Sequence, residues 1–233
     1  MMIRYFLLVI SIALWNHPCS AQEKGKLIDS RDGRTYETVK IGDQWWMAQN
    51  LAYISSVSPV FTDQGIYVYD YKGFDVSAAK KTQEYITYGC LYNWKLANTV
   101  CPDGWHLPSD EEWKQMEKFL GMSSAEADSV NYRLSGRVDN KLMSATGWGD
   151  SQRGSNESGF SALPGGISFT GGNMYMKDTV SALIRETVQF WTSTRADDKK
   201  AWTRGVYIKT NGLGRAGFQV ANGQSVRCVK NKD

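Results

Sequence analysis

The stretch from Cys101 to Leu120, CPDGWHLPSDEEWKQMEKFL, narrows what this chain can fold into more than any other. Ser109 and Glu112 have the spacing of a capping box, in which the serine hydroxyl accepts the Glu112 amide N–H and the glutamate carboxylate accepts that of Ser109. A helix is therefore predicted to begin at Asp110. Trp113, Met116 and Leu120 fall on one face of it, Pro108 or Leu107 can pack back onto Trp113, and Gly121 supplies the left-handed residue that ends it. The segment reads as a cysteine anchor, a short strand and an amphipathic helix. It is scaffold rather than active site.

Ahead of it, Arg4 precedes an apolar run from Tyr5 to Trp15, and Asn16–His17–Pro18–Cys19–Ser20–Ala21 follows, the three-part pattern of a secretory signal peptide with cleavage expected after Ala21. The run is too short for a permanent membrane span, and no later stretch approaches about 20 apolar residues, so no transmembrane segment is expected. A lipidated Cys19 is the rival reading, but Pro18 stands where such sites place a small residue. The protein is therefore expected to be exported, to the periplasm, the cell surface or the medium. The formal charge of +3 falls to +2 without Arg4, too little, and too scattered, to imply nucleic acid or anionic lipid as partner. The 233 residues, 42% hydrophobic and 12% aromatic, suffice for a sizeable core and speak against disorder.

In order, Gln22 to Ser30 reads as a loose polar leader. Thr35 to Ile41 has the composition of a strand, Gly42–Asp43 that of a two-residue turn, and Gln44 to Met47 returns as its partner. Gly65 to Asp70 is a further short strand, Ser77 to Glu84 a loop, and Leu91 to Thr99 a short helix with Leu91, Trp94 and Ala97 inward. Ser123 and Glu126 repeat the capping-box spacing, which predicts a second helix over Ser124 to Tyr132. From Ser144 to Val188 the chain is dense in Gly, Ser and Asn, the character of long loops that often carry binding. Four strands close it, Gln189–Thr194, Ala201–Lys209, Arg215–Val220 and Ser225–Lys230, with Asn211–Gly212 and Asn222–Gly223 at turns. Two or three short helices among short antiparallel strands predict an α+β fold. Export makes disulfides legitimate, and three cysteines, Cys90, Cys101 and Cys228, remain after signal cleavage, so one is left over.

These residues resemble the Fibrobacter succinogenes major paralogous domain family, secreted or surface modules of fibre-degrading and gut bacteria. The resemblance runs from Asp32 to Lys230 through DGRTYETVKIGDQWWMAQNL, YGCLYNW, CPDGWHLPSDEEW, NKLMSATGW, GFSALPGG, FWTST and SVRCVK, in the family's order. It divides the chain into a signal peptide (1–21), the leader (22–31) and the domain (32–233). The family is in turn similar to the C-type lectin-like fold and, distantly, to formylglycine-generating enzymes, with Ala97, Cys101, Gly104, Leu107 and Glu112 matching that fold's helix region. This implies a Cys101–Cys228 disulfide between the helix region and the last strand. Cys90 is then a free thiol, read as a small buried hydrophobe rather than a reactive group.

Neither relative's chemistry transfers. Calcium-dependent sugar sites of C-type lectins place carboxylates and amides beside a proline and in a Trp-Asn-Asp stretch, whereas here Leu163–Pro164–Gly165 offers no side-chain oxygen and Trp191 is followed by Thr192–Ser193–Thr194. A structural calcium at Asn156, Glu157 or Asp178 is the one cofactor left open. Formylglycine-generating chemistry needs a cysteine pair before the last strand, and no cysteine lies between Trp202 and Arg227. His106, the one histidine left after cleavage, reads as structural, and the pairs Glu111–Glu112 and Asp197–Asp198 as a helix start and a hairpin turn rather than a hydrolytic pair. Of the adjacent Trp45 and Trp46, which face opposite sides of a strand, at least one can be exposed for stacking.

The expectation is an exported, non-enzymatic binding or surface-interaction module of a bacterial envelope, with a polysaccharide or an envelope protein as partner and no nucleic acid. The alternatives are a secreted enzyme and a purely structural surface protein. The ligand surface is expected on the loops from Gly147 to Val188 and the turn at Asn211, at Trp148, Asn156, Asn173 and Tyr175, and away from the hairpin Thr35 to Met47.

Overall fold

A computed structural model of the protein describes residues 22–58, 65–149, 154–169 and 186–232. In chain order its strands are β1 (Lys24–Ile28), β2 (Thr35–Ile41), β3 (Gln44–Met47), β4 (Ile66–Tyr67), β5 (Leu91–Tyr92), β6 (Trp105–His106), β7 (Asn131–Arg133), β8 (Thr187–Arg195), β9 (Lys200–Tyr207), β10 (Leu213–Gln219), β11 (Gln224–Ser225) and β12 (Val229–Lys230). Six short α-helices accompany them among the described residues: α1 (Val76–Ala79), α2 (Gln83–Tyr88), α3 (Trp94–Ala97), α4 (Asp110–Phe119), α5 (Ser124–Ala127) and α6 (Val138–Leu142). This is an α+β fold of short strands, as the sequence predicts.

The strands form two sheets, one in the order β1-β2-β3-β12-β6 and one in the order β4-β5-β11-β8-β9-β10-β7. The predicted hairpin is present: Ile41 pairs with Gln44 across Gly42, whose φ of +61° is the left-handed value such a turn requires. The last stretch, expected as one strand, is two. β11 pairs with β5 and β8 in the second sheet, β12 with β3 and β6 in the first, and Val226, Arg227 and Cys228 cross between them. All three crossing residues are buried. The Cys101–Cys228 disulfide, 6.0 Å between Cα atoms, ties this crossing to the segment ahead of β6, while Cys90 is free and buried.

Several local expectations are corrected. Part of the polar leader is β1, because its backbone pairs in register with β2, Leu27 opposite Tyr36, and Leu27 enters the core. Ser77 to Glu84 is largely helical, since Asp75 and Thr82 accept backbone N–H groups as N-caps of α1 and α2. Leu91 and Tyr92 form a strand, and Asn93 then caps the short α3. The helix capped by Ser123 stops at Ala127, and the chain becomes β7 by Asn131, where it pairs with β10.

Helix α4 begins where predicted. Ser109 Oγ accepts the Glu112 N–H at 3.2 Å and Glu112 Oε2 accepts the Ser109 N–H at 2.8 Å, with Gly121 at φ +105° after the C-terminus. Ser109→Ala should therefore lower stability by about 1 kcal/mol. A thermal melt checks it, and an unchanged midpoint would place the helix start elsewhere. Trp113, Met116 and Leu120 join a buried cluster with Trp46, Phe160 and Phe190, in which Trp113 lies 5.1 Å from Trp46 and 5.6 Å from Phe160, centroid to centroid. A second cluster centres on Tyr36, Met47, Leu51, Tyr92 and Trp191.

The same helix carries buried charge into the second sheet. Glu117 pairs with Arg133 of β7 through its two terminal nitrogens, Nη1 at 2.6 Å and Nη2 at 3.0 Å, and with Nε of Arg204 of β9. Asp110 takes Arg204 at 2.8 Å, Arg215 of β10 at 3.0 and 2.8 Å, and Lys114 at 3.3 Å. Arginines from three neighbouring strands thus meet two carboxylates seven residues apart, about two turns along one helix face. Burial alone would raise the Asp110 carboxyl, but hydrogen bonds and charge from Arg215 and Arg204 hold it well below its usual 3.8. A carboxyl lowered on folding contributes stability that is complete above its unfolded value near pH 4 and is lost as pH falls toward the folded value. Urea midpoints measured from about pH 6 to pH 2.5 should fall less steeply in Asp110→Asn than in the wild type. Equal slopes would remove Asp110 from the acid response.

Candidate functional site

Loop 154–163 folds onto the first sheet for reasons visible in its residues. Asn156, Gly159 and Ser161 have φ of +52°, +68° and +56°, conformations that asparagine and glycine adopt at least cost. Asn156 Oδ1 accepts the Ser161 N–H at 2.9 Å and its Nδ2 donates to Ser161 Oγ at 2.9 Å, so the side chain closes the bend. Backbone bonds from Ser155 to Asn140, from Ser158 to Lys141 and from Ala162 to Leu142 fasten the loop to the end of α6. Gly159 lies so near β2 that a Cβ there would sit 3.0 Å from Val39.

Between this loop, residues 144–146, the hairpin β2–β3 and the end of α2 lies a cleft of about 530 Å³, a volume typical of small-ligand sites. Its described walls combine hydroxyls and amides (Thr38, Gln49, Asn50, Thr87, Ser144, Thr146, Asn156 and Ser161) with apolar Val39, Ala48, Ile86, Ala145 and Leu163, and carry Lys24, Arg34 and Glu37 at the β1–β2 side and Arg227 below. Gly89 closes one end at φ +72°, where a Cβ would meet the Leu51 carbonyl oxygen at 2.7 Å.

Arg227, 1% exposed, is held entirely by neutral groups. Its Nε donates to Asn50 Oδ1 at 2.7 Å, Nη1 to the carbonyls of Met47 (3.1 Å) and Phe160, and Nη2 to the carbonyl of Ser161 at 3.0 Å. The guanidinium lies over Phe160 and Phe190, 4.5 and 5.5 Å from the ring centroids. Asn50 is fixed in turn by donating to the Tyr88 carbonyl and to Ser225 Oγ. Loss of hydration on burial, with no carboxylate to oppose it among the described residues, pulls the Arg227 guanidinium down to about 9.

The residues singled out from the sequence scatter. Trp148 is a correction: it is 1% exposed, belongs to the core cluster around Trp113 and donates Nε1–H to the Ala162 carbonyl at 3.0 Å, so it cannot present a ring to a ligand. Asn156 lines the cleft, though its amide is committed to Ser161. Asn173 and Tyr175 lie outside the described residues, as does Asp178. The hairpin, where no ligand surface is expected from the sequence, supplies Glu37, Thr38 and Val39 to a wall of the cleft. Trp46 is buried and Trp45 half-buried, on opposite faces as expected of neighbours in a strand.

His106 stands apart from the cleft, with Nε2 2.8 Å from Glu112 Oε1 and Nδ1 2.6 Å from Asn231 Oδ1, where it braces the start of α4 against the end of the chain. The Cys90 thiol is pushed up to about 12 by burial, which leaves it unreactive as a nucleophile. No three His, Cys, Asp or Glu side chains converge on a metal-sized site among the described residues. No described helix is long and apolar enough to cross a membrane.

A family model described as the Fibrobacter succinogenes major domain matches residues 39–230. The chain belongs to that family. The match begins within β2, later than the motif at Asp32 suggests, and ends with β12, so the Fibrobacter succinogenes major domain spans the hairpin turn, α4, the crossing and most of the cleft, while Lys24, Arg34, Glu37 and Thr38 lie ahead of it. No curated protein and no solved structure matches the chain. Sequence reasoning missed Arg227 and Asn50. The available signal was an arginine inside the apolar run SVRCVK, which only a burying partner set can accommodate.

Proposed function

We propose that the chain is an exported binding module of a bacterial envelope that receives a polysaccharide in the cleft between the β2–β3 hairpin and loop 154–163. The observation that carries this reading is the cleft's chemistry: hydroxyl and amide side chains on walls held rigid by backbone bonds, which suits hydrogen bonding to sugar hydroxyls without reorganisation. Its described lining has one carboxylate, Glu37, and neither histidine nor cysteine, so no paired acid and base and no activated nucleophile stand there. Export is supported by the signal-peptide pattern before Gln22.

The test is occlusion. Ala145 and Thr87, exposed residues of the cleft lining from two separate segments, are the positions to enlarge: Ala145→Trp and Thr87→Trp put bulk into the cleft from residues outside the core. Calorimetry against a panel of plant and bacterial polysaccharides should show binding in the wild type that both variants lose at unchanged melting temperature. Binding that survives occlusion, or turnover of any panel member, would overturn the proposal.

A further inference from the structure

Charge is unevenly distributed around the cleft. Its described walls hold three cations, Lys24, Arg34 and Arg227, against the single carboxylate of Glu37, and Glu37 already has Lys26 at 3.8 Å. Neither Lys24 nor Arg34 is ion-paired with a carboxylate among the described residues; Arg34 lies over the rings of Tyr36 and Tyr85 at 5.5 Å each. The third cation is the costly one. A guanidinium has five N–H donors, and Arg227 places four of them on Asn50, Met47, Phe160 and Ser161, leaving one Nη2 N–H without an acceptor among the described residues. The buried arginines of the α4 network are treated differently, each facing Asp110 or Glu117. If Arg227 served packing alone, a neutral side chain would fill the same space without the desolvation penalty of an unopposed charge.

We infer that the cleft selects ligands bearing an anionic group, and that the polysaccharide it takes is an acidic one whose uronic acid carboxylates answer the field of Lys24, Arg34 and Arg227. This rests on the cleft being the binding site. A carboxylate at the cleft supplies the counter-charge that Arg227 lacks, in surroundings where solvent screens poorly, and Lys24 and Arg34 at the β1–β2 side draw the polyanion in. The hydroxyl and amide walls then serve the remaining sugar oxygens.

The decisive comparison changes the ligand's charge and nothing else. Oligogalacturonate and its methyl ester have the same backbone, and titration of both into the protein at low salt should show the free acid binding at least about tenfold more tightly, with the difference shrinking as salt is raised toward about 0.5 M. Lys24→Gln combined with Arg34→Gln should weaken the acid about tenfold and so bring its affinity toward that of the ester, with circular dichroism checking that the variant is folded. Arg227→Met tests the buried cation directly; because it can unfold the crossing, the ester comparison and the double variant decide the matter without it. Equal affinity for acid and ester, or no binding of the acid at all, overturns the inference. The Ala145→Trp and Thr87→Trp variants separate the two readings: equal affinities that both vanish on occlusion leave the binding cleft standing and remove only its charge selectivity.

Discussion

Glu117→Gln should cost about 3–5 kcal/mol, a large share of the stability of a domain this size. The side chain is fully buried and holds both Arg133 and Arg204, so neutralising it at constant volume leaves Arg133 in the interior with neutral partners only and Arg204 with Asp110 as its one remaining carboxylate. The expected cost is the penalty for stranding charge, not the net worth of the ion pairs, which is commonly small against a well-packed apolar set. Chemical denaturation reads it as a lower midpoint. The pair Glu117→Gln with Arg133→Met should lose less than the sum of the single changes, because the second removes a charge stranded by the first. Additive losses, or a single loss below about 1 kcal/mol, would show that water or rearrangement reaches the network.

Replacing both Cys101 and Cys228 by alanine should cost about 4–5 kcal/mol, from the chain entropy returned to an unfolded state no longer closed across 127 residues. The native structure loses little else, since Cys228 lies in a crossing already held by the Arg227 hydrogen bonds and by β12. For a chain of this length that corresponds to a melting point lower by about 10–20 °C. Cys90 in the wild type should react with a thiol reagent only after denaturation, being buried, with its thiol raised to about 12. A melting point unmoved by the double replacement, or a bridge at Cys90 in peptide mapping, would contradict the topology itself.

The parts of the fold legible in the residues are those fixed by short-range chemistry. A serine three positions before a glutamate specifies the start of α4 through bonds made within one turn, and Gly42 specifies the hairpin through its own φ. The pairing of Cys101 with Cys228 is implied by the family resemblance, while the cysteine count alone leaves it open. Trp148 shows the limit most plainly: a tryptophan among glycines has the local look of an exposed loop residue, and only its place in the buried cluster with Trp113, Phe160 and Phe190 takes it out of solvent.

The cleft was not legible at all. Its walls come from β2, α2, residues 144–146 and loop 154–163, more than a hundred positions apart at the extremes, and no pattern in one segment reports what another brings against it. The sequence by itself determined the element types with local signals, the capped helix, the first hairpin and the α+β class. Tertiary structure alone decided that the polar leader becomes an edge strand, that the final strand divides to join two sheets, and that Arg227 is buried at the crossing beneath a polar cleft. The physical reason is that caps and turns are satisfied within a few residues, whereas burial and charge compensation are properties of a neighbourhood assembled from distant parts of the chain.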